Sequence, residues 1–352
     1  MSDSIRYAHE RWFWFDAPFC AGGTALLHQL PDDLFRIDME LGPGVNMDEE
    51  MKPERVRARL QEMLGAQTRF TLEWTRSYVV QCTKLARFRH GRIIFAGDAA
   101  HQVSPYGARG GNSGVPDVDN LCWKLALVTQ GLAPERLLDS YDFERVMAAD
   151  ENLAASTKST QFISPPNSVA RQLRDATLEL AEKFPFAREM IDSGRLSLPT
   201  TYTGSPLNTK DTDAFDGGPP PGAPAEDAPV KFGARDEWFL HYLQAGEFTG
   251  LYYADGKISP ATLAALSQLR SAPLPVHVVI ASARPQAGDL SGFTVLGDPG
   301  EVLKKRYAAR PGTFYLFRPD QHVCGRWHNF SAQRVRDAVL RASGQDNTAK
   351  GP

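Results

Sequence analysis

The sequence predicts a mixed α/β and α+β protein. An antiparallel sheet comes first, then a strand–turn–helix unit, then a second α/β region reached through an irregular connection. Three observations predict this. Aromatic and β-branched runs alternate with turn residues before residue 85. The apolar run at 92–96 passes through Gly97-Asp98 and a glycine-rich stretch into a helical repeat. Beyond residue 229, strand and helix patterns alternate to the end.

The elements follow in order. Trp12–Phe15, Thr24–Gln29 and Phe35–Leu41 read as antiparallel strands, separated by Pro18, Gly22-Gly23 and Pro31-Asp32-Asp33. Pro53–Leu64 reads as a helix, with Val56, Leu60, Met63 and Leu64 on one face and Pro53 suited to the first turn. Phe70–Thr83 returns to strand, with Phe70, Leu72 and Trp74 alternating. The strand at 92–96 is short and almost wholly apolar, which predicts a parallel strand buried on both faces. After the glycines, Val118, Leu121, Cys122, Leu125 and Ala126 recur at helical spacing and mark the expected inward face. A helix begins near Pro134 and runs past Glu151, and residues 168–193 carry one or two more.

Residues 199–228 are rich in Pro, Gly, Asp and Thr and read as a linker wrapping the surface. The pattern then restarts. Strands are expected at Phe248–Tyr253, Val276–Ala281 and Gly312–Phe317, the last with a hairpin partner at Arg326–Phe330. Helices are expected at Pro260–Leu269, Glu301–Tyr307 and Ala332–Ala342, the last with Val335, Ala338 and Val339 inward. The resulting division is 1–85, 86–198, the linker 199–228, and a compact domain at 229–345.

The chain has 352 residues, 42% hydrophobic and 23% charged, an ordinary globular composition with room for two or three domains. A net charge of −3 gives no reason to expect nucleic acid or an anionic membrane. No apolar run is long enough to span a bilayer, and the first residues lack a signal-peptide core. The four cysteines are scattered without a CxxC, which predicts free, mostly buried thiols and a cytoplasmic location. The eight histidines show no metal-binding spacing, so no metal is expected.

The segment from Arg92 to Gly114 carries the chemistry. Ligands of open α/β sheets sit beyond the carboxyl ends of the strands, and Asp98 lies just past such an end. A carboxylate there can accept hydrogen bonds from sugar-alcohol hydroxyls. Gly107, Gly110, Gly111 and Gly114 would allow close backbone approach to a flat ring. The helix that follows points unpaired N–H groups and positive partial charge at that ligand.

This segment resembles the Gly-Asp flavin-binding motif of the FAD-dependent aromatic monooxygenases, the p-hydroxybenzoate and phenol hydroxylase superfamily. Gly97, Asp98, His101, Pro105, Gly107, Gly110, Asn112 and Gly114 match it. Asp117, Asn120, Leu121, Trp123, Lys124 and Leu125 continue the match, and Tyr141, Glu144 and Arg145 resemble the family's downstream Tyr-x-x-Glu-Arg. Ala108, Gly111 and Pro116 depart from the usual pattern, with Pro116 expected in or near the helix's first turn.

The resemblance implies a partial, Rossmann-like FAD-binding domain with an antiparallel substrate-domain sheet and a C-terminal thioredoxin-like domain. It also implies FAD as cofactor, NAD(P)H as electron donor, O2 and a small aromatic substrate, with hydroxylation of a phenolic ring as the reaction. The flavin-binding residues it implies are Gly97, Asp98, Pro105, Gly107, Gly110, Gly111 and Asn112, and it assigns no catalytic residue.

The G-x-G-x-x-G fingerprint that holds the FAD pyrophosphate in that family is nowhere in the chain, and Gly42-Pro43-Gly44 does not substitute for it. Three explanations are open: a truncated chain, a missing N-terminal polypeptide that docks here, or a flavin-free protein kept for association, a homo-oligomer among its forms. The first is the expectation, because Arg11–Phe15 begins as though mid-domain. His101 reads as orienting its loop rather than as an acid–base group. Arg109 faces the flavin, an acidic aromatic substrate or solvent. The Trp12–Phe15 cluster reads as sheet core before substrate pocket.

Overall fold

Alternating apolar residues between Asp-rich turns fold the N-terminal segment into a three-stranded antiparallel sheet. Its strands are β1 (Trp12–Trp14), β2 (Ala25–Gln29) and β3 (Phe35–Met39), in the order β1-β2-β3. Trp12 lies opposite Leu27, and Ala25 opposite Met39. The β2–β3 turn passes through Asp32 and Asp33 at φ 61° and 55°, a conformation that Asp tolerates better than most residues. Leu27 and Ala25 supply the buried face. Helices α1 (Met47–Glu50) and α2 (Pro53–Leu64) follow, and α2 buries Leu60 and Met63 as its periodicity predicts.

The computed structural model describes residues 10–20, 23–42, 44–106, 109–191, 199–284 and 290–346. The chain forms two compact units. One comprises Met1–Cys82, Val103–Arg109 and Leu153–Leu196; the other comprises Thr83–Gln102, Gly110–Asn152 and Ser197–Pro352.

Residues 70–82 do not form the expected strand. They run without a paired neighbour, and Trp74 and Val79 are both 74% exposed. Alternation extends a chain, but only a partner's N–H and C=O groups make it a strand. Four two-residue strands come next: β4 (Thr83–Lys84), β5 (Arg89–His90), β6 (Ile93–Ile94) and β7 (His101–Gln102). β4 pairs with β7 and β5 with β6, both antiparallel. The expected buried parallel strand at 92–96 is therefore a short hairpin arm, and Ile93 is 63% exposed. A parallel strand needs flanking strands joined by crossovers, and among the described residues β6 has β5 alone.

Helix α3 (Arg109–Thr129) starts earlier than expected, so Gly110, Gly111 and Gly114 lie in its first two turns and Pro116 inside it. Its orientation also corrects the sequence reading. Val118, Cys122, Leu125 and Ala126 are exposed, while Asp117, Asn120, Trp123, Lys124 and Leu127 are buried. The chain then forms α4 (Asp139–Ile163), α5 (Ser168–Lys183) and α6 (Pro185–Ile191). Asn167 caps α5, its side chain accepting from the Ala170 N–H at 2.9 Å.

Residues 199–228 contain no helix or strand, yet Tyr202 and Leu207 are buried. The stretch is tied down by the Thr209 N–H to the Cys324 carbonyl at 2.8 Å and by an Arg326–Asp211 ion pair at 2.7 Å.

The last part of the chain forms a seven-stranded sheet. Its elements are β8 (Pro229–Phe232), β9 (Arg235–Trp238), β10 (Phe248–Ala254), α7 (Pro260–Arg270), β11 (Val276–Ser282) and β12 (Thr294–Gly297). They continue with α8 (Val302–Arg306), β13 (Phe314–Phe317), β14 (Val323–Trp327) and α9 (Ala332–Ala342). The strand order is β14-β13-β10-β11-β12-β8-β9, with β10, β11 and β12 parallel. Both faces are covered. Val276, Val278 and Ile280 join the cluster that includes Leu266, Val335 and Val339, and Val279 and Ala281 join that of Leu303 and Tyr307. The hairpin partner of β13 sits three residues earlier than the sequence suggests.

All four cysteines are free, but only Cys20 and Cys324 are buried, which corrects the expectation for Cys82 and Cys122. Among the described residues no helix is long and apolar enough to cross a membrane.

Candidate functional site

The turn after β6 is built on one glycine. Ala96 is extended, and Gly97 then takes φ 58°, which opens a tight turn across Gly97–Ala99. Beside it lies an open groove of about 710 Å³, lined by Ala96, Gly97, Gly111, Gly114, Val115, Val118, Asp119 and Cys122. A Cβ built at Gly97 or Gly111 would meet nothing within 4 Å, so the backbone borders open space at both positions. At Gly114 a Cβ would sit 3.4 Å from the Gly97 Cα, so glycine brings the turn and the start of α3 close together.

The sequence-derived site residues therefore divide. Gly97 and Gly111 line the groove, and Asp98 follows Gly97 with its side chain exposed. Gly110 and Asn112 flank Gly111 in the first turn of α3. Pro105 is an exposed turn residue of the other compact unit, and Gly107 lies outside the described residues.

What holds the turn against α3 is Asp117, whose side chain is fully buried. It accepts from the Gly97 N–H at 2.9 Å, from His101 Nε2 at 2.7 Å and from Arg145 Nε at 2.6 Å. Burial pushes this carboxyl up, but the His101 hydrogen bond and the Arg145 charge outweigh it and hold Asp117 below the usual carboxylate range. Arg145 also donates to the Tyr202 hydroxyl at 2.8 Å and to the Ser113 carbonyl at 3.1 Å. His101 thus ties its loop to α3 through Asp117. Arg109 is 7% exposed, which removes the reading of a solvated arginine.

One turn further along α3, a second buried group gathers. Glu144 accepts from Asn120 at 2.7 Å, Lys124 at 2.7 Å, Ser205 at 2.6 Å and Arg318 at 2.5 Å. Asp320 pairs with Arg318 at 2.6 Å. Two cations thus meet two anions with their side chains at most 1% exposed. Burial opposes the charge on Glu144, but Arg318 and Lys124 hold its carboxyl down to about 2. Burial also lowers the Lys124 ammonium to about 8, against the pull of Glu144. Arg318, followed by His322, holds Asp320 well below its ordinary value despite burial. Tyr141 completes the arrangement by donating to the Phe95 carbonyl at 2.7 Å, beside the Gly97 turn.

These residues are what sequence reasoning missed. Asp117, Asn120, Lys124, Tyr141, Glu144 and Arg145 belong to the motif resemblance, but the sequence gives them no task. Arg318 and Asp320 carried no signal, because their partners lie far away in sequence. The available signal was the polar helical repeat Asp117, Asn120, Lys124, which marks a buried face once partners exist.

Residues 35–156 match the FAD binding domain family. A 3-(3-hydroxy-phenyl)propionate/3-hydroxycinnamic acid hydroxylase of Mycolicibacterium gilvum (strain PYR-GCK) is 35% identical over 174 residues, which cover 49% of this chain and 31% of that protein. The like-named hydroxylase of Escherichia coli O139:H28 is 32% identical over 177 residues, covering 50% of this chain and 32% of its own. The match thus takes in about a third of the curated relatives' length. In fold, the chain is similar to the flavin-dependent monooxygenase PieE in complex with FAD and substrate. The TM-score is 0.75 at 21% identity, covering 94% of this chain and 61% of that one. Aklavinone-11 hydroxylase in its ternary complex with FAD and aklavinone gives a TM-score of 0.69 at 23% identity, covering 90% and 56%. The chain therefore resembles FAD-dependent aromatic monooxygenases in sequence over half its length and in fold over nearly all of it.

Proposed function

We propose that this chain forms part of an FAD-dependent monooxygenase that hydroxylates a small phenolic ring, and that the groove beside Gly97 and the start of α3 receives the flavin. One coincidence carries this reading: the match to the FAD binding domain family, residues 35–156, includes every residue that lines the groove. The residues present suit the reactive half of the cofactor. Gly97 and Gly111 leave the backbone bare beside open space, and Asp98 is exposed next to them. Asp98 would accept hydrogen bonds from the ribityl hydroxyls. The N–H groups around Gly110, Gly111 and Asn112, with the dipole of a 21-residue helix behind them, favour the negative charge of a reduced flavin. Pro105 and Gly107 enter on the resemblance alone. FAD, when bound, supplies the redox chemistry, taking electrons from NAD(P)H and passing them to O2.

The pyrophosphate half of FAD would be held by polypeptide outside these residues, since the chain has no G-x-G-x-x-G. The apolar row of α3 continues beyond the groove to Leu125, 39% exposed, which supports docking of such a segment there. The phenolic substrate class is supported by the names of the curated hydroxylases. A cytoplasmic location accords with four free cysteines. The parallel strands β10–β12 support a thioredoxin-like C-terminal region.

The test is a titration of the chain with FAD, followed by flavin absorbance and fluorescence. Asp98→Ala should weaken binding at least about tenfold, the scale of a charge-assisted hydrogen bond. Unchanged affinity would remove Asp98 from the site. A chain that takes up no flavin yet self-associates through the α3 row would favour the flavin-free association role.

A further inference from the structure

Tyr202 stands in the irregular stretch 199–228, beyond the residues 35–156 that match the FAD binding domain family, yet it is 1% exposed. Backbone contacts place it. Its N–H donates to the Gly222 carbonyl at 2.8 Å, and its carbonyl accepts from Asn208 Nδ2 at 2.9 Å. Gly222 takes φ 96°, and a Cβ there would lie 2.6 Å from the Tyr202 carbonyl oxygen, so this approach needs glycine. The Gly222 N–H in turn donates to the Val323 carbonyl at 2.7 Å, which fastens the stretch to β14. The turn between β13 and β14 packs the Tyr202 ring. The His322 ring stacks on it at 4.4 Å, and the Arg318 guanidinium lies 5.4 Å from its centre.

The hydroxyl placed in this way meets Arg145 and accepts from its Nη1 at 2.8 Å. Burial pushes this phenol up to about 12, so it stays neutral and leaves the Arg145 charge to Asp117. Each nitrogen of the Arg145 fork then has its own acceptor. Nη1 takes the Tyr202 hydroxyl, Nε the Asp117 carboxylate and Nη2 the Ser113 carbonyl. Asp117 carries the constraint to the Gly97 N–H at 2.9 Å. The Arg145 and Asp117 side chains are at most 3% exposed, so bulk solvent does not make good a lost acceptor.

We propose that Tyr202 is a positioning residue for the flavin groove: its hydroxyl orients Arg145 so that Asp117 holds the Gly97 turn against α3. Polypeptide outside the family match is then part of how the groove is built. The identity of the ligand rests on the proposed function; control of the turn rests on the Tyr202–Arg145–Asp117–Gly97 hydrogen bonds alone.

The experiment compares the native chain with Tyr202→Phe, which removes the hydroxyl and keeps the ring. Thr209→Val is the control, because the Thr209 hydroxyl is buried in the same stretch and has no hydrogen-bond partner among the described residues. FAD titration is run at a temperature where circular dichroism shows each variant folded. It reads affinity, and the visible absorption of the bound FAD reads the surroundings of its ring. Tyr202→Phe should bind FAD roughly tenfold more weakly, the scale of one hydrogen bond to a charged group, with a shifted visible band. Amide exchange followed by mass spectrometry should be faster over 95–100 and unchanged over β10 and β11. Thr209→Val should match the native chain in every readout. If Tyr202→Phe does not fold, Arg145→Lys, which keeps the charge beside Asp117 but not the fork, should act in the same direction. Native affinity or native exchange over 95–100 in Tyr202→Phe overturns the inference. So does exchange that rises equally in β10 and β11, or an equal loss in Thr209→Val, because the role would then be structural. A native chain that takes up no flavin sinks the proposed function instead. Exchange over 95–100 then decides this inference by itself: faster in Tyr202→Phe supports it, and unchanged overturns it.

Discussion

Two apolar runs of similar character end very differently. Val276–Ser282 becomes β11, paired over its whole length with β10 and buried on both faces. Ile93–Ile94, the centre of an equally apolar stretch, becomes two residues of a hairpin with one side chain in water. Local propensity does not separate them, because both are rich in β-branched residues. The neighbours do. β11 has parallel partners in β10 and β12 and a covering helix in α7, whereas β6 has β5. A buried strand is a property of its sheet more than of its sequence.

The comparison can be broken by placing the same charge in both runs. Ile280 is 0% exposed in β11, so Ile280→Asp should cost more than about 4 kcal/mol and abolish cooperative unfolding of the C-terminal sheet. Ile93→Asp should change stability by less than about 0.5 kcal/mol. Urea unfolding followed by tryptophan fluorescence checks both, and equal losses would mean that β6 is buried after all.

The next largest effect lies in the charged cluster that replaces apolar packing beneath α3. Arg318→Met leaves Glu144 and Asp320 with one cation fewer in a fully buried site, and should cost about 3–5 kcal/mol. Exchanging an exposed pair such as Arg36–Asp38 should cost under about 1 kcal/mol. A loss at Arg318 no larger than this would show that solvent reaches the cluster.

The cluster should also sharpen the response to acid. Glu144 is held at about 2 in the folded chain against an ordinary value of 4.5, so its contribution is present above pH 4.5. It should drain away as the pH falls from 4.5 towards 2, by roughly 3 kcal/mol in all. Lys124 acts in the opposite sense. Its folded value of about 8 lies below the ordinary 10.5, so the unfolded chain holds more proton between them and stability should rise with pH across that window. Unfolding midpoints at pH 3, 7 and 9.5 test both limbs. Glu144→Gln should flatten the acid limb, and a variant whose acid limb matched the native one would assign it to other carboxylates.

Much of this was legible in the sequence. The three N-terminal strands, helix α2, the strand–helix alternation after residue 229 and the inward face of α9 follow from periodicity and turn residues. The Gly97-Asp98 turn was legible too, since few residues tolerate a left-handed backbone. Helix α3 was the instructive miss. Its apolar residues were expected inside, but the buried side is the polar one, because Asp117, Asn120 and Lys124 find partners in Arg145, Glu144 and Asp320. Hydrophobic periodicity cannot anticipate that exchange, since it weighs each residue without its partners.

By itself, then, the sequence determined where the chain turns, which segments are helical, and that a glycine-bordered turn with one carboxylate precedes a long helix. Those are local matters of backbone sterics and spacing, complete within about twenty residues. Only the tertiary structure decided which face of α3 is buried and whether an apolar run becomes a strand. Both depend on a partner distant in the chain: Arg318 for Glu144 and β10 for β11. A buried charge or an unpaired strand edge is too costly to stand without such a partner.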